Sequence, residues 1–209
     1  MHTTFSDGSG THADIARECA PYLRDGQIVL LHPGRTLGAI EFKKVICDLG
    51  CEADVTIAEA ETFIYASRAD GPAQVRIFRI KEAVPIAALP ATRTQQVLEA
   101  LAPAYPQFID GVSVLHTGLN NMGAIFHPAL TILNAGRIES TFGDFEFYIE
   151  GVTTSTARVL EALDRERVTV AASLGIRART AMAWLQMAYD ASGADLNEAI
   201  HNQTGYVGI

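Results

Sequence analysis

The sequence predicts an α/β unit followed by an all-helical unit, and three observations carry that expectation. A continuous apolar run, Gln27 to Leu31, leads through His32-Pro33-Gly34 into a helical pattern over Gly38 to Leu49. A second strand pattern, Val55 to Glu59, follows at the spacing of a βαβ crossover. Beyond about Asp110-Gly111 most of the chain reads as helix. A hydrophobic fraction of 48% with 19% charged residues is that of a chain able to bury a core, well outside the disordered regime.

Ala13 to Leu23 reads as an amphipathic helix, with Ile15, Cys19, Tyr22 and Leu23 on one face and Asp25-Gly26 as its stop. The run Gln27 to Leu31 has the look of a strand covered on both faces, as in a parallel sheet. Thr62 to Arg68 reads as a further strand that sends Thr62, Ile64, Ala66 and Arg68 one way and Phe63, Tyr65 and Ser67 the other. That is either a strand lining a cleft or an edge strand with Arg68 in solvent. From Gln74 the alternation of Val75, Ile77 and Ile80 with Arg76, Arg79 and Lys81, followed by the apolar run Val84 to Leu89, suggests a hairpin or paired edge strands. Thr94 to Ala102 reads as a helix with Thr92 as its N-cap. In the second half, helices are expected over Leu119 to Leu133, Thr154 to Leu174, Arg179 to Ala191 and Asp195 to Asn202. The expected domains are therefore 1–110 and 111–209.

The net charge of −8 and pI near 5.2 argue against a nucleic-acid partner, which is bound by clustered Lys and Arg. Three cysteines, Cys19, Cys47 and Cys51, are too few and odd in number for a disulfide framework, and no His or further Cys stands at ligand spacing, so no metal is expected. The polar start lacks the pattern of a signal peptide and no apolar stretch reaches membrane-span length, which makes the cytoplasm the expected compartment.

A dinucleotide fold opens with a strand, a G-x-G-x-x-G turn and a helix. Gly8-Ser9-Gly10 follows no strand and lacks the third glycine, and Gly34 and Gly38 have the wrong spacing; a plain turn after a buried strand accounts for them equally well. The most informative stretch is His116 to Pro128. Pro128 removes one helical N–H and clashes with the carbonyl of Ala124, so a kink or restart is expected near His127, able to aim its imidazole into a cleft. Asn120 and Asn121 add polar groups two turns upstream, whose partners are either a substrate or a neighbouring backbone. A lone helical histidine is more often structural than catalytic. His32, at a strand's end, is the rival candidate; His2 and His12 read as solvated, and His116 and His201 have no evident constellation.

The residues taken together resemble the opine dehydrogenases, the octopine and nopaline type. The resemblance runs in order through His32-Pro33-Gly34-Arg35-Thr36-Leu37-Gly38 with Glu41-Phe42, Glu61-Thr62, and Tyr65-Ala66-Ser67-Arg68. It continues through Asn120-Asn121, His127-Pro128, Leu133 to Glu139, Phe145 to Thr153 and Glu161 to Arg167. It implies a partial Rossmann-like parallel sheet followed by a helical substrate or dimerisation domain like the C-terminal part of 6-phosphogluconate dehydrogenase. It implies NAD or NADP as cofactor, and an amino acid and an α-keto acid as substrates. His127 would be the general acid/base. Arg35, Thr62, Ser67, Arg68, Asn120 and Asn121 would lie toward substrate, and Pro33, Gly34 and Glu61 toward the cofactor. Ser67 stands where some relatives have a cysteine that binds the amino acid. A homodimer is left open.

On this resemblance the chain is expected to lack the family's pyrophosphate-binding start and the later segment bearing an arginine and the aspartate that orients the histidine. Low activity of the isolated chain follows as an expectation. Two other readings remain open: a reductase of the ketopantoate type, which needs no amino donor, and a non-catalytic helical association module.

Overall fold

The computed structural model describes residues 11–69, 71–203 and 206–208; Gly8-Ser9-Gly10 and His2 lie outside them. The chain divides into two compact units between Gly118 and Leu119. Among the described residues the first unit contains α1 (Thr11–Cys19), β1 (Ile28–Leu31), α2 (Gly38–Asp48), β2 (Thr56–Ala60), β3 (Tyr65–Ala69), β4 (Val75–Ile80), β5 (Val84–Leu89), α3 (Thr94–Leu101) and β6 (Phe108–Asp110). α4 (Val114–Leu119) follows, its last residue being the first of the second unit.

Four strands form the main sheet in the order β1-β2-β5-β6. β1 and β2 run parallel, as do β5 and β6, whereas β2 and β5 are antiparallel. The sheet is thus Rossmann-like in its βαβ crossover and mixed in direction. Its two faces follow from the period-two alternation of the strands. Ile57 and Ala87 pack with Ala16, Phe42 and Ile46 of α1 and α2, while Ala58, Ala60, Ile86 and Ala88 pack with Val97 of α3 and Phe108 of β6.

β5 is therefore a central strand. The run Val-Pro-Ile-Ala-Ala-Leu is apolar throughout because both of its faces are covered, and it does not pair with β4 as the hairpin reading expected. β4 turns back on β3 instead, in a separate two-stranded ribbon whose Val75, Ile77 and Ile80 are exposed. β3 begins at Tyr65 rather than Thr62, and a register shift between Ala66 and Ser67 breaks the simple alternation expected for Thr62 to Arg68. Thr92 lies in a 3-10 turn and does not cap α3; the hydroxyl of Thr94 accepts the Ala88 N–H at 3.0 Å instead, tying α3 to β5.

The second unit contains α5 (Gly123–Leu133), α6 (Ala135–Thr141), α7 (Thr154–Ser173), α8 (Ala181–Tyr189) and α9 (Leu196–His201). The expected helix Leu119 to Leu133 is broken, but not at His127. The restart lies at Asn120–Met122, and α5 runs through Pro128. A proline six residues into a helix deletes one hydrogen bond near the N-terminal end, which the packing of Phe126 and Leu130 against Ala157 and Leu160 of α7 outweighs.

α7 starts cleanly because Thr153 and Thr156 form a reciprocal capping pair. Its buried ion pair organises the unit. Arg167 bonds Asp164 Oδ1 through Nε at 3.1 Å and Nη2 at 2.6 Å, both side chains being 9% exposed. Arg167 also donates to the carbonyls of Leu119 and Arg179, and Asp164 Oδ2 accepts the Ala181 N–H at 2.7 Å at the start of α8. Removing one partner of such a pair leaves an unpaired buried charge, so Asp164→Ala is expected to cost about 3–5 kcal/mol. Arg158→Ala, on the exposed side of the same helix, should stay within about 0.5 kcal/mol. Urea unfolding followed by circular dichroism measures both; equal midpoints for the two variants would contradict this account of the unit.

Candidate active site

In the α/β unit the candidate residues gather beyond the carboxyl ends of β1 and β2, the edge at which open α/β sheets bind ligands. β1 passes into the turn His32 to Leu37, in which the His32-Pro33 peptide is cis and Arg35 and Leu37 have φ of 58° and 63°. Non-glycine residues in that left-handed region cost energy and are held only where surrounding contacts fix them.

The fixing contact is a carboxyl group. Glu59 is fully buried in β2, with Oε2 accepting the Ala39 N–H at 2.9 Å and Oε1 the Thr117 hydroxyl at 2.7 Å. Burial pushes its pKa up, partly offset by those two hydrogen bonds. A Cβ on Gly34 would lie 2.6 Å from Glu59 Oε2, so the glycine is required by this side chain. The Gly34 N–H donates to Ala60 O and its carbonyl accepts from Gly38, each at 3.0 Å. The amides of Gly38, Ala39 and Ile40 at the start of α2 are thus all used within the protein. A helix N-terminus binds phosphate through amides left without partners. The β1–α2 turn therefore does not fit a pyrophosphate, and Gly34 is a packing glycine.

His12 is not solvated as its position suggested. Its ring lies against Gly38, where a Cβ would come within 2.6 Å of Nδ1, and burial lowers its pKa. His32 is also a packing residue. Its Nε2 accepts the Ile64 N–H at 2.9 Å, its ring meets Phe63 and Phe108 edge-on, and burial followed by the charge of Lys81 lowers its pKa.

Glu61 and Thr62 follow β2 directly. Glu61 is buried and its N–H bonds Pro85 O at 2.9 Å; the half-buried Thr62 accepts Lys81 Nζ at 2.8 Å. Lys81, read in the sequence as part of an alternating strand pattern, lies past the end of β4 and is half-buried, and burial brings its pKa down to about 8. Pro33 is half-buried and Arg35 exposed. Ser67 is exposed on β3 opposite Ile77, and the backbone of Arg68 pairs with Arg76. Thr62 therefore groups with Glu61, His32 and Lys81 at the root of the ribbon, whereas Ser67 and Arg68 lie out along it.

In the helical unit, His127 sits on α5 with its residue exposed and its Nε2 2.8 Å from the hydroxyl of Tyr148. Tyr148 is buried among Tyr206, Tyr189 and Phe147, and burial raises its pKa to about 12, so its phenol is protonated at neutral pH. The pair anchors one ring nitrogen to the core. Asn120 is buried, and its carboxamide oxygen accepts the Arg179 N–H at 3.0 Å, which makes its partner the backbone. Asn121 is half-buried in the junction before α5, its carbonyl accepting from Ala124. His201 bridges the carbonyls of Asn197 and Ile149, and His116 bonds the Ser113 hydroxyl.

An opine dehydrogenase from Arthrobacter sp. (strain 1C) is 37% identical to this chain over 198 residues, 95% of the chain and 55% of that protein. Residues 111–209 match the family model described as NAD/NADP octopine/nopaline dehydrogenase, alpha-helical domain. Over almost its whole length the chain is similar to opine dehydrogenases, and its second half matches that family's helical domain. Its fold is that of a solved octopine dehydrogenase with NADH and L-arginine, with a TM-score of 0.73 at 21% identity over 98% of this chain and 54% of the other. An apo yersinopine dehydrogenase superposes with a TM-score of 0.59 at 13% identity, over 80% of this chain and 43% of that one. The chain spans about half the length of the opine dehydrogenases it matches. No helix among the described residues is long and apolar enough to cross a membrane.

Sequence reasoning assigned no role to Glu59, Lys81 or Tyr148. Glu59 did leave a signal: it is a lone carboxylate in the otherwise small and apolar stretch Ile57 to Ala60.

A buried carboxyl whose pKa is raised supports folding fully below the ordinary carboxyl pKa, and that support is lost as pH rises through the raised value. Stability of the α/β unit should therefore fall across that window in the native chain, and Glu59→Gln, which can still bond Thr117, should flatten the dependence. Denaturant unfolding from pH 4 to pH 8 tests this; parallel curves for the two proteins would refute it.

Proposed function

We propose that the protein carrying this chain is an NAD(P)-dependent opine dehydrogenase that condenses the amine of an amino acid with an α-keto acid and reduces the resulting imine, with His127 as general acid/base. The observation that supports this reading is the 37% identity to an opine dehydrogenase across 95% of the chain. The exposed imidazole on α5, tied to the core through Tyr148, suits the role, because general acid–base catalysis needs a fixed group with an exchangeable proton.

Each stage of the condensation moves a proton. Loss of water from the carbinolamine needs an acid at the departing hydroxyl, and capture of the substrate ammonium as a free amine needs a base. An imidazole with an ordinary pKa of about 6.5 does both at neutral pH. The hydride is that of a reduced nicotinamide. Arg35 and Arg68 supply positive charge for the carboxylates, Thr62 and Ser67 hydroxyl contacts, and Asn121 a carboxamide. Asn120 supports the same segment through the backbone of Arg179. Pro33, Gly34 and Glu61 face the dinucleotide by packing in this reading, because the amides of their turn are already bonded. The cytoplasm and a homodimer belong to the proposal; the free thiols of Cys19, Cys47 and Cys51 suit a reducing compartment.

The enzyme should oxidise NADH or NADPH only when an amino acid and a keto acid are both present. His127→Gln should lower kcat by about 10²–10⁴-fold. Steady-state absorbance at the nicotinamide band reads both effects. Full turnover with a keto acid alone would favour the ketopantoate-type reading, and an undiminished kcat in His127→Gln would remove the histidine from the mechanism.

A further inference from the structure

The link from β2 to β3 is held at three points. The Glu61 N–H bonds Pro85 O, the Ile64 N–H bonds His32 Nε2, and the Ile64 carbonyl accepts the Lys81 N–H, all at 2.9 Å. Thr62 lies between these ties, at the carboxyl edge of the sheet. Its hydroxyl oxygen is occupied by Lys81 Nζ at 2.8 Å. An ammonium can only donate, so Thr62 Oγ1 accepts there and its own O–H proton must go to another acceptor. The lysine thus selects one of the two roles open to a threonine.

We propose that Lys81 is a positioning residue that fixes Thr62 as a hydrogen-bond donor to a substrate α-carboxylate and holds a positive charge behind that bond. This rests on the reading of Thr62 as a substrate contact. The charged groups facing Lys81 are Glu61, which favours its charged form, and His32, whose pKa the lysine lowers. Because His32 Nε2 accepts an amide N–H, that imidazole is neutral and does not compete for the carboxylate. An anionic ligand at Thr62 meets one hydroxyl donor with one ammonium behind it.

A half-buried lysine that loses its proton near pH 8 gives the arrangement a pH signature that a purely structural residue lacks. Below that pH, Thr62 is held as a donor. Above it, the neutral amine can accept from Thr62, and both the charge and the donor orientation are lost. Carboxylate affinity should therefore weaken as pH rises through about 8.

The test uses the full-length enzyme with Lys81→Met, Lys81→Arg, Thr62→Val and the Lys81→Met/Thr62→Val double variant. KM for the amino acid and for the keto acid are measured separately from pH 6.5 to pH 9.5, each with the other substrate saturating. Lys81→Met should raise KM for one of the two by about tenfold, a change of about 1.4 kcal/mol, with a smaller effect on kcat, and should abolish the rise in KM above pH 8. Lys81→Arg should keep the low KM at every pH, because its guanidinium does not titrate there. The double variant should be no worse than the poorer single one, as expected of residues acting through one bond. The substrate whose KM responds is the one whose carboxylate is bound. If Thr62→Val raises KM while Lys81→Met leaves KM and its pH profile unchanged, the Lys81 inference fails alone. If Thr62→Val changes neither KM, the substrate role of Thr62 fails and the inference with it. Should Lys81→Met not fold, Lys81→Arg decides, since an alkaline rise in KM that persists in that variant contradicts the proposal.

Discussion

A single desolvated carboxyl, that of Glu59, sets the terms for the α/β unit. Removed from water in β2, it has to be satisfied by protein donors, and it finds them in the Ala39 N–H and the Thr117 hydroxyl. One side chain therefore ties β2 to the first turn of α2 and to α4. It also dictates sequence at a distance, since Gly34 must lack a Cβ to let it pass. In a dinucleotide turn the helix N-terminus faces a phosphate, whereas here the same electrostatic position is filled by the chain's own acid. In the proposed function, ligand contacts accordingly fall to the residues just past β2, Glu61 and Thr62, and to the lysine bonded to Thr62.

The helical unit separates support from chemistry. Asp164 and Arg167 together bind two carbonyls and one helix-start amide, so α7, the start of α8 and the segment before α5 are fixed by one ion pair. A cluster of Tyr148 and Tyr206, both buried, with the half-buried Tyr189 forms a second anchor, and its Tyr148 hydroxyl reaches His127. The imidazole is exposed while its Nε2 is held, so the ring is both oriented and reachable. Pro128 follows it without ending the helix, because a deleted hydrogen bond one turn from an N-terminus costs less than the apolar contacts of α5 supply.

Much of the architecture was legible from period alone. The βαβ crossover from β1 to β2 and the helices α7, α8 and α9 stand where alternation and helical spacing put them, because their buried faces leave a direct trace in the order of apolar residues. Strand partners left no such trace. Val75, Ile77 and Ile80 alternate as a half-buried strand would, yet their apolar face is exposed on the ribbon. The unbroken apolar run of β5, by contrast, was the mark of a strand covered on both sides. Thr62 and Arg35 entered the candidate site only through resemblance, since one threonine or arginine has no spacing of its own, whereas His127 was also marked by the proline that follows it. Lys81 and Tyr148 were beyond reach because their meaning lies in contacts to Thr62 and His127 made across the fold.

In the proposed function His127 is a proton-transfer group held by Tyr148 and open to substrate. The most direct measurement is the 15N resonance of its ring nitrogens in histidine-labelled protein, assigned by its loss in a His127 variant among the six histidines. The Nε2 signal should shift in Tyr148→Phe and shift again when keto acid and amino acid are added with the oxidised nicotinamide nucleotide. A His127 signal indifferent to both the tyrosine and the substrates would contradict it.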